Sequence, residues 1–137
     1  MSEVGRTRDV GWEIGVSKTI DCPIGALWDF ITSPEGTAIW LGDGVTLAPK
    51  QGYETATGTH GETRSLHELD RIRLTWWPAG WSHDTTLQLT VRSVAKTRTR
   101  LGIHQERLAD ATEREQQRQH WQGVITALAQ ACRGEPA

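Results

Sequence analysis

The sequence predicts an α+β domain in which a curved antiparallel sheet wraps around one long C-terminal helix. Three observations lead to this prediction. A strand-like alternation near the start of the chain is followed by helical spacing, residues 41–110 form short segments between glycine-containing turns, and residues 112–132 have helical spacing again. A sheet with one apolar face must bury that face, and the last helix is the one long element available to cover it.

The first elements are a strand and two short helices. Apolar residues alternate from Trp12 to Ile20, as in a half-buried strand. A helix follows, and we expect Asp21 to cap it, with Pro23 in its first turn. Its apolar face has the spacing i, i+3, i+4, i+7 and consists of Ile24, Leu27, Trp28 and Ile31. Pro34 ends this helix, and Ser33 is the predicted cap of a second one over 34–40.

The middle of the chain is predicted to be a run of antiparallel strands. Turn signals recur about every 8–12 residues, which is typical of such sheets. We predict strands near 44–48, 53–59, 62–68, 71–77, 83–94 and 98–107. Three alternating sets are expected to share one face of the sheet: Ile72, Leu74 and Trp76; Leu87, Leu89 and Val91; and Thr99, Leu101 and Ile103.

The end of the chain is predicted to be helical. Thr112 and Glu115 match the T-x-x-E capping box, and Gly134 suits a helix stop. One stripe across three turns is apolar and consists of Trp121, Val124, Ile125, Leu128 and Cys132. We therefore expect one domain over 12–132, with flexible tails at 1–11 and 133–137.

Composition excludes several classes of protein. The 137 residues carry a net charge of −2, so a basic nucleic-acid-binding surface is not expected. Neither a signal peptide nor an apolar run of the roughly 18–20 residues of a membrane helix is present. The sequence therefore predicts a cytoplasmic protein without membrane insertion.

The two cysteines, Cys22 and Cys132, lie far apart and do not form a CxxC motif. We expect separate buried thiols that act as small apolar side chains, rather than a disulfide or a zinc site.

Three stretches resemble a known family when they are taken in order: VSKTIDCPIGALWDFITSPEGTAIWL (16–41), HGETRSLHELDRIRLTWW (60–77) and RQHWQGVITAL (118–128). Together they resemble the START/Bet v 1-like superfamily, also called SRPBCC, whose architecture is the helix-grip fold. Within it, they resemble the AHSA1-like family, related to the activator of Hsp90 ATPase. Cys22 departs from that pattern, because the family usually has alanine there.

The resemblance implies a cavity between the sheet and the long helix, and no cofactor. Single-domain relatives are regarded as binders of small hydrophobic molecules, which makes such a molecule the expected partner. Two alternatives are a polyketide aromatase/cyclase-type enzyme and a protein that contacts an Hsp90-type chaperone. A homodimer is a further expected partner state.

The stretch LTWWPAGW (74–81) contains three tryptophans, which either fill the core or line the cavity. Strand alternation directs Trp76 inward and Trp77 outward, and places Trp81 in a turn where it could cover the opening. The predicted cavity residues are Trp28, Trp40, Leu74, Trp76, Trp81, Leu87, Leu89, Leu101, Ile103, Trp121, Ile125 and Leu128. An exposed patch around Trp77 and Trp81 would favour the chaperone alternative.

The polar residues do not form a recognisable catalytic motif. The five histidines lack HxxxH and HExxH spacing, so no metal site is predicted. An enzyme of the cyclase type would need an acid or a base in the cavity, for which the candidates are Glu62, Arg64, His67, Glu68, His104 and Glu106. A position on the solvated outer face of the sheet accounts for these acids and bases as well as a catalytic role does.

Overall fold

Alternation gives the strands one apolar and one polar face, and the structure buries the apolar face beneath a helix. The computed structural model describes residues 6–7 and 11–132. Its elements are β1 (Arg6–Thr7), β2 (Gly11–Ile20), α1 (Ile24–Ile31), α2 (Pro34–Trp40), β3 (Gly52–Glu54), β4 (His60–His67), β5 (Arg71–Trp76), β6 (Thr85–Ala95), β7 (Arg98–Leu108) and α3 (Ala111–Cys132). The antiparallel sheet has the order β1-β2-β7-β6-β5-β4-β3. The predicted helix-grip fold is confirmed.

The core lies between the inner face of the sheet and α3. The three predicted alternating sets on β5, β6 and β7 are all buried, in phase across the sheet, because Leu74 pairs with Leu87 and Leu89 with Ile103. Buried apolar side chains of α3, spaced one or two helical turns apart, complete this core: Trp121, Val124, Ile125, Leu128 and Ala129. Truncating one buried leucine to alanine in such a core costs about 2–5 kcal/mol.

The two short helices close the core on the side of α1 and α2. Ser33 caps α2 as predicted, and its hydroxyl accepts a hydrogen bond from the Gly36 N–H at 3.1 Å. The indole of Trp40 is buried and donates its N–H to the Ile31 carbonyl at 2.8 Å. These bonds fix the turn between the helices, so Trp28 and Trp40 reach the core from one rigid corner.

The predicted strand at 44–48 is wrong. Residues 41–50 form an irregular segment, since Gly42 (φ 147°) and Gly44 (φ 83°) take positive φ angles that interrupt an extended chain. Its apolar residues Val45 and Leu47 instead pack half-buried against the core. The strand predicted over 53–59 is shorter than expected. The chain turns after β3, where Thr55 N–H bonds to the Thr59 carbonyl at 2.8 Å.

Two predicted helix caps are also wrong. Helix α3 begins at Ala111, and its capping pair is Asp110 and Glu113: the Asp110 carboxylate accepts from the Glu113 N–H at 2.8 Å. Glu113 in turn accepts from the Ala109 N–H at 3.0 Å, so the capping box lies two residues before the predicted Thr112–Glu115 pair. Asp21 does not cap α1, whose N-cap is Pro23. The carboxylate of Asp21 instead pairs with Arg98 at 3.2 Å.

The predicted tails fall mostly outside the described residues, as does the predicted stop at Gly134. Within 1–11, Arg6–Thr7 form β1 and pair with Gly11–Trp12.

Two helical glycines give opposite predictions for stability. A Cβ on Gly36 would overlap the Phe30 carbonyl where α2 packs on α1, whereas a Cβ on Gly123, exposed on α3, would meet no atom within 4 Å. We expect Gly36→Ala to destabilise the protein by about 1–3 kcal/mol. Gly123→Ala should stabilise it by about 0.5–1 kcal/mol, because alanine favours the helix. Urea unfolding measures both, and shifts of the same sign would contradict this packing of α1 against α2.

Candidate functional site

The predicted cavity residues lie together in the folded protein. Eleven of the twelve belong to one buried cluster, and the twelfth, Trp81, is half-buried and packs against it. At these positions the side chains pack on one another between the sheet and α3. That they line a ligand cavity stays a prediction.

Two clefts lie elsewhere. One, of about 540 Å³, runs between β2 and α3 and is lined by Gly15, Val16, Ser17, Lys18, Gln122, Ile125 and Thr126. The other, of about 380 Å³, is lined by residues that include Thr90, Arg92 and Arg100, which alternate with the buried positions and so face solvent. Of the twelve predicted residues, only Ile125 lines either cleft. Neither is the expected apolar cavity.

A cluster of aromatic rings lies where the β5–β6 turn meets the first half of α3. Trp76 is at its centre, and its ring centroid is 5.5 Å from that of Trp81, 5.4 Å from Trp121 and 6.3 Å from His120. His83 continues the row at 5.3 Å from Trp81. We call these five residues the aromatic cluster. Edge-on and tilted arrangements of this kind are favourable, and Trp81, His83 and His120 form its rim.

The β5–β6 turn positions the three tryptophans as their spacing predicts. Trp76 ends β5 on the inner face, whereas Trp77 lies on the other face and stacks on His60 at 5.1 Å. The indole N–H of Trp77 donates to the Trp81 carbonyl at 2.6 Å, which closes the turn. The turn thereby places the ring of Trp81 against the ring of Trp76, and Trp81 covers Trp76 on its solvent side.

Beneath the rings lies a chain of buried hydrogen bonds. The Trp121 N–H donates to Gln105 Oε1 at 2.7 Å, and Gln105 Nε2 donates to the Thr85 hydroxyl at 2.9 Å. That hydroxyl donates to the Trp76 carbonyl at 2.8 Å. Gln105 and Thr85 are not among the predicted site residues, although each is a polar residue in the inward phase of an otherwise apolar strand. That signal could have identified them.

Among the buried polar atoms that lack a hydrogen-bond partner within the described residues, two belong to β5 and α3. They are the indole nitrogen of Trp76, a donor, and Oε1 of Gln117, an acceptor. Gln117 lies one helical turn before Trp121 and three residues before His120, on the helix face that meets Trp76. An unsatisfied buried group costs about 1–3 kcal/mol, so each atom needs a partner from outside the chain, a water or a ligand.

The rim of the aromatic cluster carries ionisable groups. His83 Nε2 lies 2.9 Å from Glu113 Oε1, an ion-pair distance without the alignment of a hydrogen bond. His83 Nδ1 lies 3.0 Å from the Asp84 carbonyl. His120 is exposed along one edge, but its ring packs 4.6 Å from Trp121, and the resulting burial lowers the pKa of its imidazole.

The acids and bases proposed for an enzyme do not reach the core. Glu62, Arg64, His67 and Glu68 are exposed on or next to β4, and His104 and Glu106 lie half-buried on the outer face of β7. With Glu13, the last two have ligand atoms within 4.8 Å of one another. However, Arg73 pairs with Glu106 at 3.8 Å, and the two His104 nitrogens face different carboxylates. We assign no metal to this group.

The surface around Trp77 and Trp81 is not an exposed apolar patch, since both rings are half-buried. Within the described residues, the exposed large apolar side chains are Leu69 (44%) and Val94 (48%), on other turns. None of the helices in that part of the chain combines the length and apolar character of a membrane span.

Solved structures share this fold. CalU16 from Micromonospora echinospora has a TM-score of 0.79 at 18% identity, over 96% of this chain and 82% of that one. DynU16, a protein in the dynemicin biosynthetic locus, has 0.78 at 19% identity over 90% of this chain, which spans only 48% of DynU16. PFC0360w, an HSP90 activator from Plasmodium falciparum, has 0.75 at 17% identity over 92% and 99%.

No curated protein matches the sequence significantly. The family model described as "Activator of Hsp90 ATPase homolog 1-like protein" matches residues 21–133, which include α1, α2, strands β3 to β7 and α3. The structural neighbours carry the same helix-grip architecture. The chain therefore belongs to the Activator of Hsp90 ATPase homolog 1-like family.

Proposed function

We propose that the protein binds a small aromatic molecule that carries a hydroxyl or a similar polar group, and that the aromatic cluster is the binding site. The observation that supports this most directly is the pair of unpartnered buried atoms, Trp76 Nε1 and Gln117 Oε1. Binding sites are mostly apolar and carry a few polar groups that orient the ligand. The aromatic cluster has this composition.

The chemistry of the two atoms defines the class of ligand. An indole N–H only donates and an amide oxygen only accepts. A hydroxyl does both, so it can accept from Trp76 and donate to Gln117. The ring that carries it would stack against Trp76, whose neighbours are aromatic. A ligand without polar groups would leave both atoms unsatisfied, and a carboxylate, which only accepts, would leave Gln117 Oε1 unsatisfied. We therefore favour an aromatic alcohol over a fatty acid.

The side chain of Trp81 is the one that has to move to admit such a ring. Trp76 is fixed by a strand, and Trp121 and His120 by a helix, whereas Trp81 lies in the β5–β6 turn. Trp81 is half-buried and covers the edge of Trp76. Its displacement exposes Trp76 without unfolding a regular element, and the ligand ring then takes the place of the Trp81 ring.

The same geometry makes His83 and Glu113 poor candidates for the base that the aromatase/cyclase alternative needs. In that alternative a base must have a nitrogen or oxygen free to take a proton. Both nitrogens of His83 face an oxygen, and the Glu113 carboxylate also caps α3. DynU16 comes from a biosynthetic locus, which supports a small molecule as the partner.

Substituting Gln117 separates binding from stability. Gln117→Leu removes the unpaired acceptor, so we expect the free protein to gain about 1 kcal/mol of stability. The same variant should bind 2-naphthol about tenfold more weakly, equivalent to about 1.4 kcal/mol. Urea unfolding and tryptophan-fluorescence titration measure the two effects.

Naphthalene, which lacks the hydroxyl, should bind the wild type and Gln117→Leu equally. Gln116→Leu is the matched control, since Gln116 is the exposed neighbour on the same helix. It should bind 2-naphthol as the wild type does. Equal 2-naphthol affinities for all three proteins, or no binding of any hydroxylated aromatic from phenol to 2-naphthol, would contradict the proposal.

The lowered pKa of His120 predicts how stability depends on pH. Above about pH 6.5, the ordinary pKa of histidine, the imidazole is neutral in both folded and unfolded chains. Below it, the unfolded chain takes up the proton first, so stability falls as the pH falls toward the folded pKa. His120→Gln should lose less stability than the wild type between about pH 7.5 and 5.5.

Urea midpoints at the two pH values test this. The control is His67→Gln, at an exposed histidine of β4, which should behave as the wild type does. If His120→Gln loses as much stability as the wild type, the ring is not desolvated by the aromatic cluster.

Contact with an Hsp90-type chaperone is a second candidate function, supported by the family match and by the neighbour that is an HSP90 activator. It predicts that the purified protein elutes together with such a chaperone in size-exclusion chromatography and raises its ATP hydrolysis. Separate elution and unchanged hydrolysis would remove this candidate. A homodimer stays a prediction, which light scattering of the purified protein tests.

A further inference from the structure

The two cysteines, 110 positions apart in sequence, meet in the folded protein. Their Sγ atoms lie 2.7 Å apart, with both thiols free. A covalent disulfide bond measures about 2.04 Å, so only a small approach separates the pair from bonding distance. The sequence analysis expected two separate thiols, because spacing along the chain carries no information about this contact.

Rigid elements on both sides hold the pair together. Cys22 lies in the turn between β2 and α1, where its N–H bonds to the Ile20 carbonyl at 2.8 Å. Its carbonyl accepts from the buried Thr99 hydroxyl at 2.7 Å. Cys132 ends α3 one turn after the fully buried Leu128. The proximity of the sulfurs therefore follows from the packing of α3 on the sheet.

We propose that Cys22 and Cys132 form an intramolecular disulfide by exchange with a low-molecular-weight disulfide, and that this bond fastens the end of α3 to the β2–α1 turn. The proposal does not depend on a ligand at the aromatic cluster. Cys132 is half-buried and Cys22 is 4% exposed, so Cys132 is the thiol that the incoming reagent reaches.

The exchange takes two steps. The Cys132 thiolate attacks one sulfur of the small disulfide, forms a mixed disulfide and releases one small thiolate, which takes up a proton. The Cys22 thiolate then attacks Cys132 Sγ and releases the second small thiol. Two protein thiols are oxidised to one disulfide, the reagent is reduced to two thiols, and the two protein protons end on those thiols.

The environment of the pair favours a lasting bond over rapid cycling. Burial, with a smaller contribution from the adjacent Cys22 thiol, raises the pKa of the Cys132 thiol, so little thiolate exists near neutral pH and exchange is slow. A thiol of raised pKa is also a poor leaving group, which slows reduction of the bond once it has formed. We therefore assign the pair a structural role rather than that of a catalytic redox centre.

Oxidised glutathione tests the proposal on the full, reduced chain. After incubation, we expect the intact mass to fall by two hydrogens, with no glutathione added. Peptide mapping should join Cys22 to Cys132 in a monomer. Because the bond closes a long loop, we expect the melting temperature to rise by about 10 °C or more and to return after treatment with dithiothreitol.

Single variants trap the intermediate and provide the controls. Cys22→Ser should stop at the mixed disulfide and gain one glutathione on Cys132; Cys22→Ala is the alternative if the buried serine prevents folding. Cys132→Ser should form no bridge and melt at the same temperature with and without oxidised glutathione. Three outcomes for the wild type would overturn the proposal: glutathione retained on Cys132, disulfide-linked dimers, or two thiols unchanged after prolonged incubation.

Discussion

The structure depends on one constraint: the apolar inner face of the sheet has to be covered, by α3 together with the shorter helices α1 and α2. Trp121 lies at the centre of that contact and is fully buried. Its indole N–H would be costly without a partner, and Gln105 provides one from β7. The buried amide of Gln105 then needs a hydrogen-bond partner of its own, and the hydroxyl of Thr85 on β6 provides it. One buried aromatic side chain thus determines the polar residues on two strands and the position of α3 over the sheet.

The buried indole N–H groups differ in whether they have a hydrogen-bond acceptor. Trp40 and Trp121 both donate to nearby oxygens, at 2.8 Å and 2.7 Å, and each closes a contact between elements. Trp76 is also buried, yet its nitrogen has no partner within the described residues. This difference between the indole groups is the observation on which the proposed binding at Trp76 rests.

Periodicity predicted the parts of the fold that depend on which face a side chain occupies. The inward set on β5 to β7 and the opposite faces of Trp76 and Trp77 follow from alternation alone, and α3 follows from its apolar stripe. Periodicity failed at 44–48, where two positive-φ glycines override a short alternation. It also misplaced the α3 cap, because Asp110 and Thr112 both precede the apolar run and only the path of the chain selects one.

The candidate site was only partly predictable for a related reason. Trp76, Trp81 and Trp121 were identified from the family resemblance and the strand phase, whereas neither Gln117 nor His120 was among the predicted site residues. Hydrogen-bond pairing depends on positions in three dimensions, so the unpaired state of Trp76 and the contact of Cys22 with Cys132 could not be deduced from spacing.

The central claim is tested most directly by the indole N–H resonances of the tryptophans in a ¹H–¹⁵N correlation spectrum, recorded while 2-naphthol is added. The account predicts a large downfield shift for Trp76 alone among the buried rings, as its N–H gains an acceptor. Trp40 and Trp121, whose N–H groups already have acceptors, should move little. If the Trp76 resonance moves no more than those two, its nitrogen does not contact the ligand and the account is contradicted.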